Sequence, residues 1–290
     1  MAGLIDRLVR QRKKRLLVSL DWTEGRDFPT LRAAAIPGRA VPLLGASYPE
    51  GQLFRSQNSL EEGLLRLLRT LIPESVPVVI LADRGLGRAE FAAVCQELGF
   101  RCLMRIKPNV RVACRRYRGR LDDYPVWRGI SHALRRVAYR ADGCVVPQVV
   151  IRWQEGLPTE RDEPWFLRTD LAGSAAKLCQ LFSRRVTVEE LFRGAKNLRN
   201  GWSVRNTRIE PADHFDRFLL ILAVSSWLLV GLGLKARAEW PPCWWCPNTR
   251  ESEGSVFTIG RAVVDLGEYP PEALILAVSE ATEEVGANWG

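Results

Sequence analysis

Residues 77–85, PVVILADRG, carry the reading of the fold. Val78 to Ala82 form an unbroken apolar run, too short for a helix, bounded by Pro77 and by the polar Asp83-Arg-Gly85. A run without alternation is the pattern of a strand covered on both faces, which implies helices above and below a sheet with parallel strands. Functional groups of open α/β sheets collect where strands end, so Asp83 stands where a site would form. A plain strand-to-loop turn accounts for the same three residues.

Outward from this strand the pattern alternates. Upstream, Ser59-x-x-Glu62 reads as a capping box opening a helix with Leu60, Leu64, Leu67, Leu68 and Leu71 on one face, closed by Pro73 and Pro77. Strands are expected at 16–22, 40–47 and 53–56, the last two separated by the turn-like Pro49-Glu-Gly51. Downstream, a helix over 88–98 closes at Gly99 and a strand follows over 100–107. Residues 109–172 change character, with short strand-like pieces at 135–139, 145–153 and 165–169. From Ser174 the chain reads as helical to about Arg184, and Thr187-x-x-Glu190 is a second capping box that would start a helix at Val188. A buried apolar helix over 215–234, a Pro/Trp/Cys-rich loop at 240–249 and a short final helix from Pro271 complete the chain. The expected organisation is α/β: a basic leader (1–15), the first part of a core (16–108), a basic β-rich insertion (109–172) and a helical C-terminal part (173–290).

The 290 residues are 47% apolar and 26% charged, the proportions of a globular protein, which excludes a disordered, collagen-like or coiled-coil chain. Lys and Arg number 42 against 33 Asp and Glu, a net charge of +9. Between Arg101 and Arg140, 12 basic residues meet only Asp122 and Asp123, so this window carries +10 and the remainder is close to neutral. Within that remainder, residues 1–15 form a second basic segment, six Lys and Arg against Asp6. Such segments are the electrostatic footprint of a polyanion, most often nucleic acid; a solvated basic face is the alternative. Coding bias explains a preference for Arg over Lys but not where the charge gathers.

Seven Cys without paired spacing argue for a reducing compartment and packed free thiols. Cys243-Trp-Trp-Cys246 lacks a second pair or a nearby His and reads as loop thiols rather than a zinc or redox site. The N-terminus has no apolar signal core. The long apolar run at 218–234 is interrupted by Ser225, Ser226, Gly231 and Gly233 and falls short of the roughly 20 residues a spanning helix needs. A cytoplasmic protein without a membrane segment is expected.

Three acids then stand out by position: Asp21 within the first strand, Asp83 at the end of the apolar strand, and Glu189 in the first turn of a helix about 100 residues later. Carboxylates brought together repel unless a cation lies between them, and hard Mg²⁺ or Mn²⁺ is the natural partner. Two such ions could clamp the attacking and leaving oxygens of a phosphoryl displacement. Any α/β protein offers several triples of this kind. The spacing around Glu189 is more specific: Phe182-x2-Arg185-x3-Glu189-x6-Lys196.

This spacing resembles the Tyr-x2-Arg-x3-Glu-x6-Lys signature of bacterial DDE transposases of the insertion-sequence-4 type. Asp21-Trp-Thr23 is similar to that family's first-aspartate motif and Asp83-Arg-Gly85 to its second, while Ser255-Val-Phe257 and Ile259-Gly260-Arg261 look like its tail. The resemblance runs from about residue 15 to about residue 268. It implies an RNase H-like catalytic core with a β-rich insertion, acting on DNA by metal-dependent strand cleavage and strand transfer. By it, Asp21, Asp83 and Glu189 would be catalytic and hold two Mg²⁺ or Mn²⁺ ions, and Arg185 and Lys196 would contact transposon-end phosphates. The partners implied are transposon-end and target DNA, bound by a homodimer in the bacterial cytoplasm at the nucleoid.

Helix geometry agrees from the residues alone: Glu189, Arg193 and Lys196 share one face, and Val188, Leu191, Phe192 and Ala195 the other. An ordinary i,i+4 pair between Glu189 and Arg193 explains part of the pattern. Arg115, Arg116, Arg118 and Arg120 are the expected non-specific DNA contacts of the insertion. Trp127, Trp153 and Trp165 are expected to be core of that module, although the resembling family stacks a Trp there on a flipped base. Phe182 replaces the family's Tyr, losing a hydroxyl but keeping an aromatic ring. The family carries a helical end-recognition domain ahead of the first Asp; a basic leader stands there in this sequence, so a truncated or split copy is expected. Two further readings follow: a remnant that only binds DNA, and a metal-dependent nuclease without strand transfer.

Overall fold

The computed structural model describes residues 15–24, 28–36, 40–139, 144–153, 163–196, 202–241 and 255–267. The basic leader up to residue 14, Cys243, Cys246 and the helix expected from Pro271 lie outside the described residues. Mixed α/β architecture is what the chain adopts, around one ten-stranded sheet ordered β3-β2-β1-β4-β5-β10-β9-β8-β6-β7. Its central strands are β1 (Leu16–Glu24), β4 (Val78–Ala82) and β5 (Arg101–Arg105), all parallel. β2 (Pro29–Ala35) and β3 (Val41–Ser47) extend β1 as an antiparallel meander.

The apolar run at 78–82 is buried along its whole length, as its lack of alternation implied. Period-2 geometry divides its side chains and those of β1 between two cores. Leu16, Val18, Leu20, Val78, Ile80 and Ala82 face α1 (Glu50–Leu71) and α2 (Ala89–Glu97). Leu17, Val79 and Leu81 face α3 (Ala175–Ser183), which Ser174 caps by accepting from the Lys177 N–H, and α4 (Val186–Lys196). The two helical layers therefore cover opposite faces of the same strands.

Several local expectations are overturned. The strand expected at 53–56 lies inside α1, and Ser59, at mid-helix, caps nothing. From Glu50 to Leu71 the only β-branched residue is Thr70, and the Leu, Glu and Arg of the segment favour helix strongly enough to carry it through Gly51 and Gly63. The Ala-rich 29–35, to which the sequence pattern assigns no element, forms strand β2 because β1 and β3 pair with it on both sides, and tertiary pairing outweighs the helical preference of alanine. The second capping box also fails: α4 begins at Val186, and the Thr187 hydroxyl donates to the Arg184 carbonyl.

Residues 109–172 supply β6 (Arg111–Ala113), β7 (Arg118–Arg120), β8 (Ser131–Tyr139), β9 (Cys144–Arg152) and β10 (Trp165–Thr169). β10 pairs antiparallel with β5, so these strands continue the central sheet. The apolar helix is longer than expected, α5 (Ala212–Glu239), and α6 (Val256–Asp265) crosses it closely. A Cβ on Gly233 would lie 1.7 Å from the Val256 carbonyl oxygen, and one on Gly260 1.8 Å from that of Leu229, so glycine is required at both crossing points. By length and composition α5 could cross a membrane, with a mean hydropathy of 2.0, yet Phe215, Trp227 and Leu232 are buried within the fold while Ile221 is exposed.

Candidate functional site

The parallel register aligns Leu16 with Val78 and continues step by step to Leu20 with Ala82. Asp21 and Asp83 are the next residue on each strand, so the pairing carries them to the same level of the sheet. By the same alternation, Asp21 follows Leu17 and Ser19, and Asp83 follows Val79 and Leu81, onto the face covered by α3 and α4. On that face α4 begins immediately after Arg185. The neighbouring Trp22 turns to the other face, where its indole N–H donates to Glu61 Oε1 at 2.7 Å.

One guanidinium binds all three acids. Arg185 Nη2 lies 2.7 Å from Asp21 Oδ2 and 3.5 Å from Asp83 Oδ2, and Nη1 lies 2.9 Å from Glu189 Oε1. The residues flanking this contact are separated by 62 and 106 positions in sequence. The Arg185 side chain is only 9% exposed, whereas Glu189 is 51% exposed, so the cluster is buried at Asp21 and open at Glu189. Burial pushes the Asp21 carboxyl up to about 6; the Arg185 charge pulls it down, and Asp83 and Glu189 add to the rise. Burial alone would lower the Arg185 pKa, but Asp21, Asp83 and Glu189 together raise it. The i,i+4 partner of Glu189 is thus Arg185 behind it rather than Arg193 ahead.

The other expected residues are spread more widely. Arg193 faces a cavity of about 660 Å³ between β3, α4, α5 and the start of α6, whose walls include Val41, Leu43, Leu219 and Leu222. Lys196 sits in a small crevice beside Thr23 and Glu24. Phe182 packs edge-on against Trp165, ring centroids 5.4 Å apart, in the core below Arg185. Trp165 is core as expected, Trp153 is half-buried with Arg128 5.0 Å above its ring, and Trp127 is 57% exposed instead of buried.

Arg115, Arg116, Arg118 and Arg120 are all exposed on the β6–β7 hairpin, whose second strand is the sheet edge. Arg120 is held by Asp122, while Arg115, Arg116 and Arg118 make no ion pair among the described residues. Six strand spacings separate β7 from β4, or roughly 30 Å at about 4.8 Å each.

Sequence reading missed a second charged cluster beside Asp83. Arg84 and Arg105 both bind Glu163, the latter at 3.0 Å, and burial lowers the Arg105 pKa, with Arg84 adding to the fall. Arg84 was visible in the Asp-Arg-Gly turn, but Glu163 follows a polar stretch with no periodicity, so nothing local announced it. Among the described thiols, Cys95, Cys102 and Cys179 are buried and free as expected, with burial pushing Cys102 up to about 12 and Cys179 up to about 11, while Cys114 is free and half-buried.

Among the described residues no group of three or more His, Cys, Asp or Glu side chains stands close enough together to hold a metal ion. The three acids converge on the guanidinium instead of on one another. Their chemistry nonetheless suits a divalent cation: all donors are hard carboxylate oxygens, and three negative charges face one positive charge. No family model and no curated protein matches this chain.

Proposed function

We propose that this chain is the catalytic core of a DDE-type DNA transposase, cleaving and joining DNA strands at the Asp21, Asp83 and Glu189 cluster. The observation that carries the reading is the single Arg185 guanidinium bound to all three acids. Those residues were singled out from the sequence by their positions on predicted elements and by the motif resemblance, and nothing in their sequence separation requires them to meet. The antiparallel β1–β2–β3 meander continued by parallel β4 and β5 supports an RNase H-like assignment of the core.

Asp21, Asp83 and Glu189 would hold Mg²⁺ or Mn²⁺, which supplies Lewis-acid stabilisation to the attacking and leaving oxygens of the phosphodiester. The chain's own residues do the rest. Burial of Asp21 and Arg185 excludes water from the floor of the site and strengthens each charge interaction there. Arg185 fixes the rotamer of Glu189 while no metal is bound, and Arg84 and Arg105 add positive potential beside Asp83 for an incoming phosphate. Cleavage breaks the P–O3′ bond as water attacks phosphorus and leaves a 5′-phosphate; the freed 3′-hydroxyl then attacks a phosphorus of a second strand, breaking that strand's own P–O3′ bond and releasing its 3′-hydroxyl. The β6–β7 hairpin, roughly 30 Å away, would engage the same duplex about one helical turn from the cut.

The test is nicking of supercoiled DNA with Mg²⁺ or Mn²⁺, wild type against Glu189→Gln. Metal-dependent nicking by the wild type alone supports the enzyme. Equal background from both proteins overturns it and leaves DNA binding as the function. Release of a cut end without joining to a second duplex supports a nuclease instead.

A further inference from the structure

We propose that Arg185 is a resident counter-cation that a divalent ion displaces and a DNA phosphate then receives, so that metal uptake and DNA binding at this site are coupled. The inference rests on the catalytic reading of Asp21, Asp83 and Glu189.

Three observations lead to it. The guanidinium occupies the space between the acids, 2.7 Å from Asp21, 2.9 Å from Glu189 and 3.5 Å from Asp83. A divalent ion held by the same oxygens would need to approach them to about 2.0–2.6 Å, and it would then share that space with a fixed positive charge. Ion and guanidinium therefore exclude each other from the carboxylates. Second, the Arg185 side chain is nine-tenths buried, and its Nε already lacks a hydrogen-bond partner. A guanidinium driven off the acids in such surroundings loses every partner it has among the described residues and needs another anion within reach. Third, among the described residues the neighbouring side chains offer none: Arg84 and Arg105 beside Asp83 are cations, and Glu163 near them binds both. A phosphate presented at the open, Glu189 side of the cluster is the anion whose geometry a bidentate guanidinium fits.

Coupling of two ligands through one displaced group is reciprocal: whatever DNA adds to metal affinity, metal adds to DNA affinity. Without DNA the site holds its own arginine and takes up metal weakly. This keeps a DNA-cutting centre unloaded until a strand is in place.

The experiment is Mn²⁺ binding to the full chain, read from the electron paramagnetic resonance of free Mn²⁺, with and without a mixed-sequence duplex and corrected for Mn²⁺ on the duplex alone. Arg185→Gln should bind Mn²⁺ about tenfold more tightly than wild type without DNA, and a duplex should raise wild-type affinity about tenfold but that of Arg185→Gln much less. Arg185→Lys, which keeps the charge but cannot span three carboxylates, should fall between them and serves if the Gln variant does not fold. Wild-type Mn²⁺ binding that Asp83→Asn removes but Arg185→Gln leaves unchanged overturns the displacement while the metal site stands. Absence of any Asp83-dependent Mn²⁺ binding in wild type and Arg185→Gln alike overturns both.

Discussion

The carboxylate cluster and the β6–β7 hairpin use charge in opposite ways. At the cluster, Asp21, Asp83, Glu189 and Arg185 come from two strands and a helix, and the central guanidinium is 9% exposed. On the hairpin, Arg115, Arg116, Arg118 and Arg120 are near neighbours in the chain and stand in water. Desolvation makes each interaction at the cluster strong and dependent on position, so one misplaced atom matters. Solvent and salt weaken each interaction on the hairpin, so what matters there is the number of arginines. Under the proposed function the first region would serve chemistry at a point and the second would hold a polyanion without choosing a sequence.

The sharpest break in that contrast is the isosteric loss of one charge at the cluster. Asp83→Asn should lower metal-dependent nicking on the order of 10³-fold and leave DNA affinity in a mobility-shift titration without divalent metal within a factor of two or so. If affinity fell with activity, the two regions would not be separate. The reciprocal variant, Arg115, Arg116, Arg118 and Arg120 all changed to Ala, should weaken DNA binding on the order of 10²-fold. It should also reduce the slope of log K against log salt by about 3, near 0.9 per lost phosphate contact. Nicking measured at saturating DNA should then match wild type.

Next comes the energetic signature of burial. The folded Asp21 carboxyl sits at about 6, above its unfolded value of about 3.9, so its protonated form is favoured in the fold. Its contribution to stability is full below about pH 4 and lost as pH rises through 6. Asp21→Asn, neutral throughout, should therefore be more stable than wild type at pH 7.5, on the order of 2 kcal/mol, with the gap closing towards pH 4. Thermal melts across that range decide it; a gap that widens at low pH would mean the Arg185 pairing outweighs burial. The smallest effect separates two hairpin arginines. Arg118→Ala should flatten the salt slope by about one phosphate, and Arg120→Ala by less, because Asp122 already occupies Arg120.

Much of the fold was legible because it follows from local rules. The unalternating run at 78–82 announced a strand covered on both sides, Gly99 closed α2 with φ +73°, and Ser174 capped α3 as a serine before a helix does. Where two local rules competed, sequence reading failed. Residues 53–56 look like a short strand in isolation, and Ser59-x-x-Glu62 has a capping pattern, yet one longer helix simply runs through both. Arg120 and Arg118 look alike in sequence, and only the fold gives one of them a partner.

For the site, the sequence by itself determined which acids to consider, because Asp21 lies in one predicted strand, Asp83 ends another and Glu189 sits in the first turn of a helix with an arginine four residues before it. What only the tertiary structure decided was that these groups meet around Arg185, that Glu163 gathers Arg84 and Arg105 beside them, and that the basic hairpin stands well away at the sheet edge. The reason is physical. Strand period, helix caps and turn residues act over a few neighbouring peptides and leave a pattern in the chain. Which strand pairs with which, and which helix covers which face, is settled by burying apolar surface between distant segments, and that choice leaves no mark at the individual residue.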